Sequence, residues 1–222
     1  MKKIVKVMTI AGSDSGAGAG IQADLKTFHA LGVYGTSVIT AVTAQNTLGV
    51  TSVLEMPTGI VIDQMDAILT DINTDAVKIG MMANIEIIRA VVERLTYYRI
   101  SKVVLDPVMV AKGGDRLLRK DAVNVMQDEL FPLAMVVTPN VPEAEILAQM
   151  KIQSNSHMRR AAEIIVDKGA NSIVLKGGHF LGDAVDLFYD GNGFIEFVRP
   201  RVNTRNSHGT GCTFSSAIAA GL

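Results

Sequence analysis

Apolar and polar positions along these 222 residues follow two alternating periods. Short apolar runs at residues 5–11, 36–43, 76–79, 102–105, 134–137 and 172–175 read as buried strands. Between them, apolar residues recur at helical spacing: Ile21, Leu25, Phe28 and Leu31, then Val61, Met65, Ile68, Leu69 and Ile72 within 60–72. Ile88, Val91, Val92 and Leu95 mark a third helix over 85–97. Further helices are expected over 122–130, from Pro142 onward, over 158–168 and over 213–220. Pro142 suits a first helical turn, and Gly169 suits a stop. Segments 184–189 and 194–198 flank Asp190-Gly191-Asn192-Gly193 and predict a hairpin. The β–α alternation predicts an α/β fold, with a mostly parallel central sheet, helices on both faces and an antiparallel hairpin. In such sheets ligands bind beyond the carboxyl ends of the strands. Gly12, Asp14, Gln45, Gly80, Met81, Asp106, Asn140 and Lys176 all fall at such ends.

Composition narrows the class. Hydrophobic residues make up 48% and aromatics only 5%, the aliphatic bias of a covered parallel sheet. With 21 basic and 22 acidic residues, the net charge of −1 offers no footprint for nucleic acid or membrane. No apolar stretch has the length of a bilayer span, and residues 1–7 lack a signal-peptide core. A lone cysteine, Cys212, excludes an intramolecular disulfide. A cytoplasmic enzyme of one domain over 1–222 fits these bounds.

Candidate chemistry concentrates at residues 206–212, where Gly209, Thr210 and Gly211 open the last helix. A glycine-rich turn at a helix start leaves N–H groups unpaired and adds the positive end of the dipole, a ready anion site. Cys212 in that first turn is expected to have a lowered thiol pKa, unless it packs as a small hydrophobe. Asp106, after an apolar strand and before Pro107, is a magnesium-type ligand or a turn cap. Asn140 and Glu143 offer a phosphate and metal corner or an N-terminal capping box. Lys176, before two glycines, suits a phosphate or is a solvated loop lysine. Gln45 presents donor and acceptor together, as an amino-pyrimidine edge requires, or serves a turn. Met81 lines an apolar pocket or packs in the core. There is no P-loop, dinucleotide fingerprint or zinc spacing.

Jointly, these segments resemble one family. Residues 9–14, 18–27, 43–47, 78–81, 104–109, 138–143, 176–179 and 208–212 match, in order, the hydroxymethylpyrimidine/phosphomethylpyrimidine kinases of thiamine synthesis. The resemblance implies a ribokinase-like three-layer sandwich. It implies ATP- and Mg²⁺-dependent phosphorylation of 4-amino-5-hydroxymethyl-2-methylpyrimidine, then of its monophosphate. Gln45, Gly12, Asp24, Met81 and Val108 would form the pyrimidine pocket. Asp106 and Glu143 would serve the metal, and Lys176 and Asn140 the nucleotide. Gly209, Thr210 and Gly211 would supply the anion hole, and Cys212 would accept the alcohol proton. A homodimer is also implied. Family members normally continue beyond the point corresponding to Leu222, so a C-terminal truncation is expected. Pyridoxal kinase is the alternative activity, and a non-catalytic ligand-binding fragment is the alternative class.

Overall fold

The computed structural model describes residues 4–109, 120–178, 182–204 and 206–222. Nine strands form one sheet in the order β3-β2-β1-β4-β5-β6-β7-β8-β9. They are β1 Lys6–Asp14, β2 Tyr34–Gln45, β3 Val50–Glu55, β4 Ala76–Ile79, β5 Val103–Leu105, β6 Val136–Val137, β7 Ile173–Lys176, β8 Ala184–Tyr189 and β9 Phe194–Arg199. β2 to β7 pair in parallel through β1, β4, β5 and β6. The two edges are antiparallel, through β3 on β2 and through β8 and β9 on β7. The sequence reading missed β3. Its residues are almost all exposed, so no buried face imposed an apolar alternation there.

Helices cover both faces. They are α1 Gly20–Ala30, α2 Thr58–Ala67, α3 Ile85–Tyr97, α4 Lys120–Val125, α5 Val141–Ala148, α6 Asn155–Asp167 and α7 Thr210–Gly221. The helix expected over 60–72 relaxes into a wider π turn at Ile68–Ile72, and that over 122–130 does so at Met126–Leu130. Alternate strand residues face opposite layers. Met8, Ile10, Val77, Ile79, Val103 and Leu105 pack in the larger core with α2 to α6. Val7, Ala76, Val104, Val136 and Val174 face the thinner layer with Phe28 of α1 and Ala219 of α7. Burial on both faces is why these strands read as unbroken apolar runs. Among the described residues no helix is long and apolar enough to cross a membrane.

The chain leaves β1 toward β2 on one side and, later, toward β4 on the other. That reversal opens a crevice at the carboxyl ends of the strands.

Candidate active site

Two glycine turns, one after β1 and one before α7, are built against each other. Gly209 caps α7 with φ 79°, and a Cβ there would lie 1.7 Å from the Gly18 carbonyl oxygen. Gly20, with φ 57°, sits as tightly on Gly12, whose carbonyl oxygen would be 2.3 Å from an added Cβ. Only glycine permits both the dihedral and the approach. Asp14 locks the junction. Its buried carboxylate accepts from the Gly16, Gly18 and Ala19 amides at 2.8, 3.1 and 2.8 Å, and meets His208 Nε2 at 2.8 Å. Burial alone would raise its pKa, but the His208 bond and the amides outweigh burial and hold it below the ordinary value.

The first-turn amides of α7 have no intrahelical acceptor, and the helix dipole adds positive potential there. Beside this turn, Lys176 at the end of β7 holds Asp106 at the end of β5, Nζ to Oδ1 3.1 Å. A Cβ on Gly211 would be 3.4 Å from Lys176 Nζ and 3.7 Å from Asp106 Oδ2, so the turn lies directly over the pair. Ser215 and Thr138 donate to Asp106 at 3.3 and 3.4 Å. Burial opposes the charge of Lys176, but Asp106 and Glu143 raise its pKa overall.

The capping box forms: Asn140 Oδ1 accepts from the Glu143 amide at 3.0 Å, and Glu143 Oε2 from the Asn140 amide at 2.9 Å. This does not remove Glu143 from the site. Burial, then the charge of Asp106, pushes its carboxyl up to about 8. A buried carboxyl beside a second carboxylate suits a divalent cation that also takes phosphate oxygens and water. Among the described residues no group of three or more His, Cys, Asp or Glu could hold a metal unaided.

These groups line one cleft of about 750 Å³, a volume suited to small ligands. Gly12, Gln45 and Met81 lie toward the β1–β2–β4 end, Val108 follows β5, and Asn140 and Lys176 lie toward the β6–β7 end. Asp106, Gly209, Thr210, Gly211 and Cys212 also line it. Gln45 Oε1 accepts from Thr43 at 3.0 Å, and Met81 Sδ would sit 3.2 Å from a Cβ on Gly12.

Two expectations need correction. Asp24 does not line the cleft: it is fully buried, with its carboxylate taken by Lys78, Thr9 and Ser216. The Cys212 thiol is not lowered. Burial pushes it up, and Asp106 and Asp24 add to that, outweighing Lys78 and the Gly20 amide. Sequence reasoning placed Asp14 among the strand-end candidates without a role, and assigned none to Lys78 or His208. For Lys78 the available signal was a lysine inside the apolar run 76–79. His179, in the matched run 176–179, lies outside the described residues.

A family model described as phosphomethylpyrimidine kinase matches residues 14–222. The thiamine biosynthesis bifunctional protein ThiED of Geobacter sulfurreducens is 55% identical, covering 97% of this chain and 44% of that protein. The hydroxymethylpyrimidine/phosphomethylpyrimidine kinase of Rhizobium meliloti is 54% identical, covering 97% of this chain and 81% of its own length. The chain thus spans less than half of the bifunctional relative and most of the other. Among solved structures, an ADP complex of Bacillus subtilis pyridoxal kinase matches with TM-score 0.91 and 37% identity, covering 98% of this chain and 84% of that one. The ribokinase-like sandwich expected from the sequence is the fold of this chain.

Proposed function

Because this chain belongs to the phosphomethylpyrimidine kinase family, we propose that it transfers the γ-phosphoryl group of ATP to 4-amino-5-hydroxymethyl-2-methylpyrimidine and then to the resulting monophosphate. The observation that carries this reading is the first turn of α7 over the Asp106–Lys176 pair, midway along the cleft. β1 and β7 are four strand spacings apart, roughly 19 Å. An acceptor ring at the β1–β2–β4 end and a nucleotide at the β6–β7 end would bring their reacting atoms together over β5.

At the acceptor end, Gln45 reads the amino-pyrimidine edge. Thr43 occupies one lone pair of Oε1, which leaves a second lone pair for the amino group and Nε2 for a ring nitrogen. Gly12, Met81 and Val108 frame the ring. At the transfer point, the acceptor hydroxyl gives its proton to the thiolate form of Cys212 Sγ, which becomes the neutral thiol. Its oxygen bonds to the γ-phosphorus, the bond to the β–γ bridging oxygen breaks, and ADP leaves. The Gly209–Cys212 turn and Lys176 stabilise the charge on the transferring group. Asp106 and Glu143 would hold Mg²⁺, which neutralises phosphate charge when bound. Asn140 serves the nucleotide end chiefly by shaping α5, since its Oδ1 is spent on the cap.

Pyridoxal also offers a hydroxymethyl group on a ring, and the pyridoxal kinase likeness keeps that second reading in play. Pyridoxal has no amino group for Gln45, and identity is higher to the pyrimidine kinase, 54% against 37%. Parallel ATP/Mg²⁺ assays with the pyrimidine alcohol, its monophosphate and pyridoxal decide the matter. Pyrimidine products should dominate. Dominant pyridoxal phosphate would promote the second reading, and nucleotide binding with no product would leave a ligand-binding protein. A cytoplasmic homodimer completes the proposal, and equilibrium sedimentation tests the dimer.

A further inference from the structure

Four polar side chains sit fully buried where α1, β1, β4 and α7 meet: Thr9, Asp24, Lys78 and Ser216. Lys78 Nζ bridges both Asp24 oxygens at 3.0 and 2.9 Å. Thr9 Oγ1 donates to Asp24 Oδ2 at 2.6 Å, and Ser216 Oγ to Oδ1 at 2.6 Å. A buried ion pair often returns less than its desolvation costs, so stability alone is a weak reason for this one.

Its position supplies a better reason. Lys78 is the member of the network that opens onto the cleft. The backbone leaves room for it: a Cβ on Gly80 would come within 2.9 Å of Nζ. α1 and α7 also run side by side in register. Asp24 of α1 meets Ser216 of α7, and Gly20 and Cys212 stand four residues earlier on the same two helices. Residues four apart share a helix face, so Cys212 stands one turn above the ion pair. The other charged groups around its sulfur are Asp106, just after β5, and Lys176 at the end of β7.

Resting on the phosphoryl transfer proposed above, we propose that Lys78 is an electrostatic positioning residue, anchored by Asp24, that stabilises the Cys212 thiolate, the form that takes the acceptor proton and is left as a neutral thiol. Among the groups acting on the thiol, Lys78 is the leading one that favours the thiolate. The ammonium itself stays charged, because Asp24, Cys212 and Asp106 together outweigh the burial that disfavours it.

The test does not depend on turnover. Cys212 is the only cysteine, so iodoacetamide labelling followed by mass spectrometry reports its reactivity alone. Removing Lys78 alone would strand a buried carboxylate, so the variant is the neutral pair Asp24→Asn/Lys78→Gln, with Asp24→Leu/Lys78→Met as a second, apolar pair. Thermal melts identify the folded one. At fixed pH near 8, the folded neutral pair should label more than about threefold more slowly than wild type, because the leading group that favours the thiolate is lost together with the weaker, opposing Asp24. Its kcat should fall while the KM for ATP holds. Ser216→Ala, which cuts the tie to α7 but keeps both charges, should label within about threefold of wild type, about half a pKa unit at most. Unchanged labelling in the neutral pair would overturn the proposal. So would a Ser216→Ala variant that slows as much, since that marks structural support only. Slowed labelling in a protein that phosphorylates no pyrimidine would keep the electrostatics and refute the proposed reaction instead.

Discussion

At the residue scale, the two acceptors make different demands on Cys212. An alcohol must lose a proton to attack, whereas a phosphate monoester with a second pKa of about 6 is already ionised at neutral pH. Cys212→Ala should therefore slow the first transfer by about 10²–10⁴-fold and the second far less, with nucleotide binding retained. Steady-state rates with the alcohol and with the monophosphate check this, and equal losses would remove Cys212 from the base role. The direction of the thiol shift fixes the pH profile. A base works when deprotonated, burial raises this thiol, and an ordinary thiol titrates near 8.5. The alcohol rate should thus climb with pH to beyond about 8.5, and Cys212→Ala should flatten that limb.

At the element scale, α5 combines two functions. Its capping box closes the helix start and also buries Glu143 beside Asp106. An unfolded glutamate titrates near 4.5, and this one is pushed up to about 8. Between those values the folded state holds a proton that the unfolded state has lost, so stability falls as pH rises across the window. Glu143→Gln keeps an acceptor for the Asn140 amide but has no proton to lose. Its melting temperature should change less between pH 5 and 8 than that of wild type. Bound Mg²⁺ needs the carboxylate, so metal binding should release protons below about pH 8. Calorimetry in buffers of different ionisation enthalpy measures that release, and the variant should lose it.

At the scale of the whole molecule, legibility tracked burial. Strands covered on both faces, such as 76–79 and 102–105, announced themselves as apolar runs, while exposed β3 left no pattern to read. Cleft residues were legible because strand ends can be found by counting. The orientation of Asp24 was not, since it depends on Lys78, 54 residues away. Nor was the bond between Asp14 and His208, 194 residues apart, which ties the end of the first strand to the turn before the last helix. That bond sets the last prediction. Asp14→Ala leaves the Gly16, Gly18 and Ala19 amides and His208 without their shared acceptor. At about 1 kcal/mol for each of these four bonds to half-buried or exposed partners, and about 2–4 °C per kcal/mol for a chain of this size, the melting temperature should drop by about 10 °C. His208→Ala removes one partner and should cost less. The depressed pKa gives the loss a pH signature. The contribution of Asp14 is full above its unfolded value of 3.8 and disappears as pH falls through the lower folded value. The gap between wild type and Asp14→Ala should accordingly narrow in acid. A gap that stayed constant through that range would place the cost in packing rather than in the carboxylate.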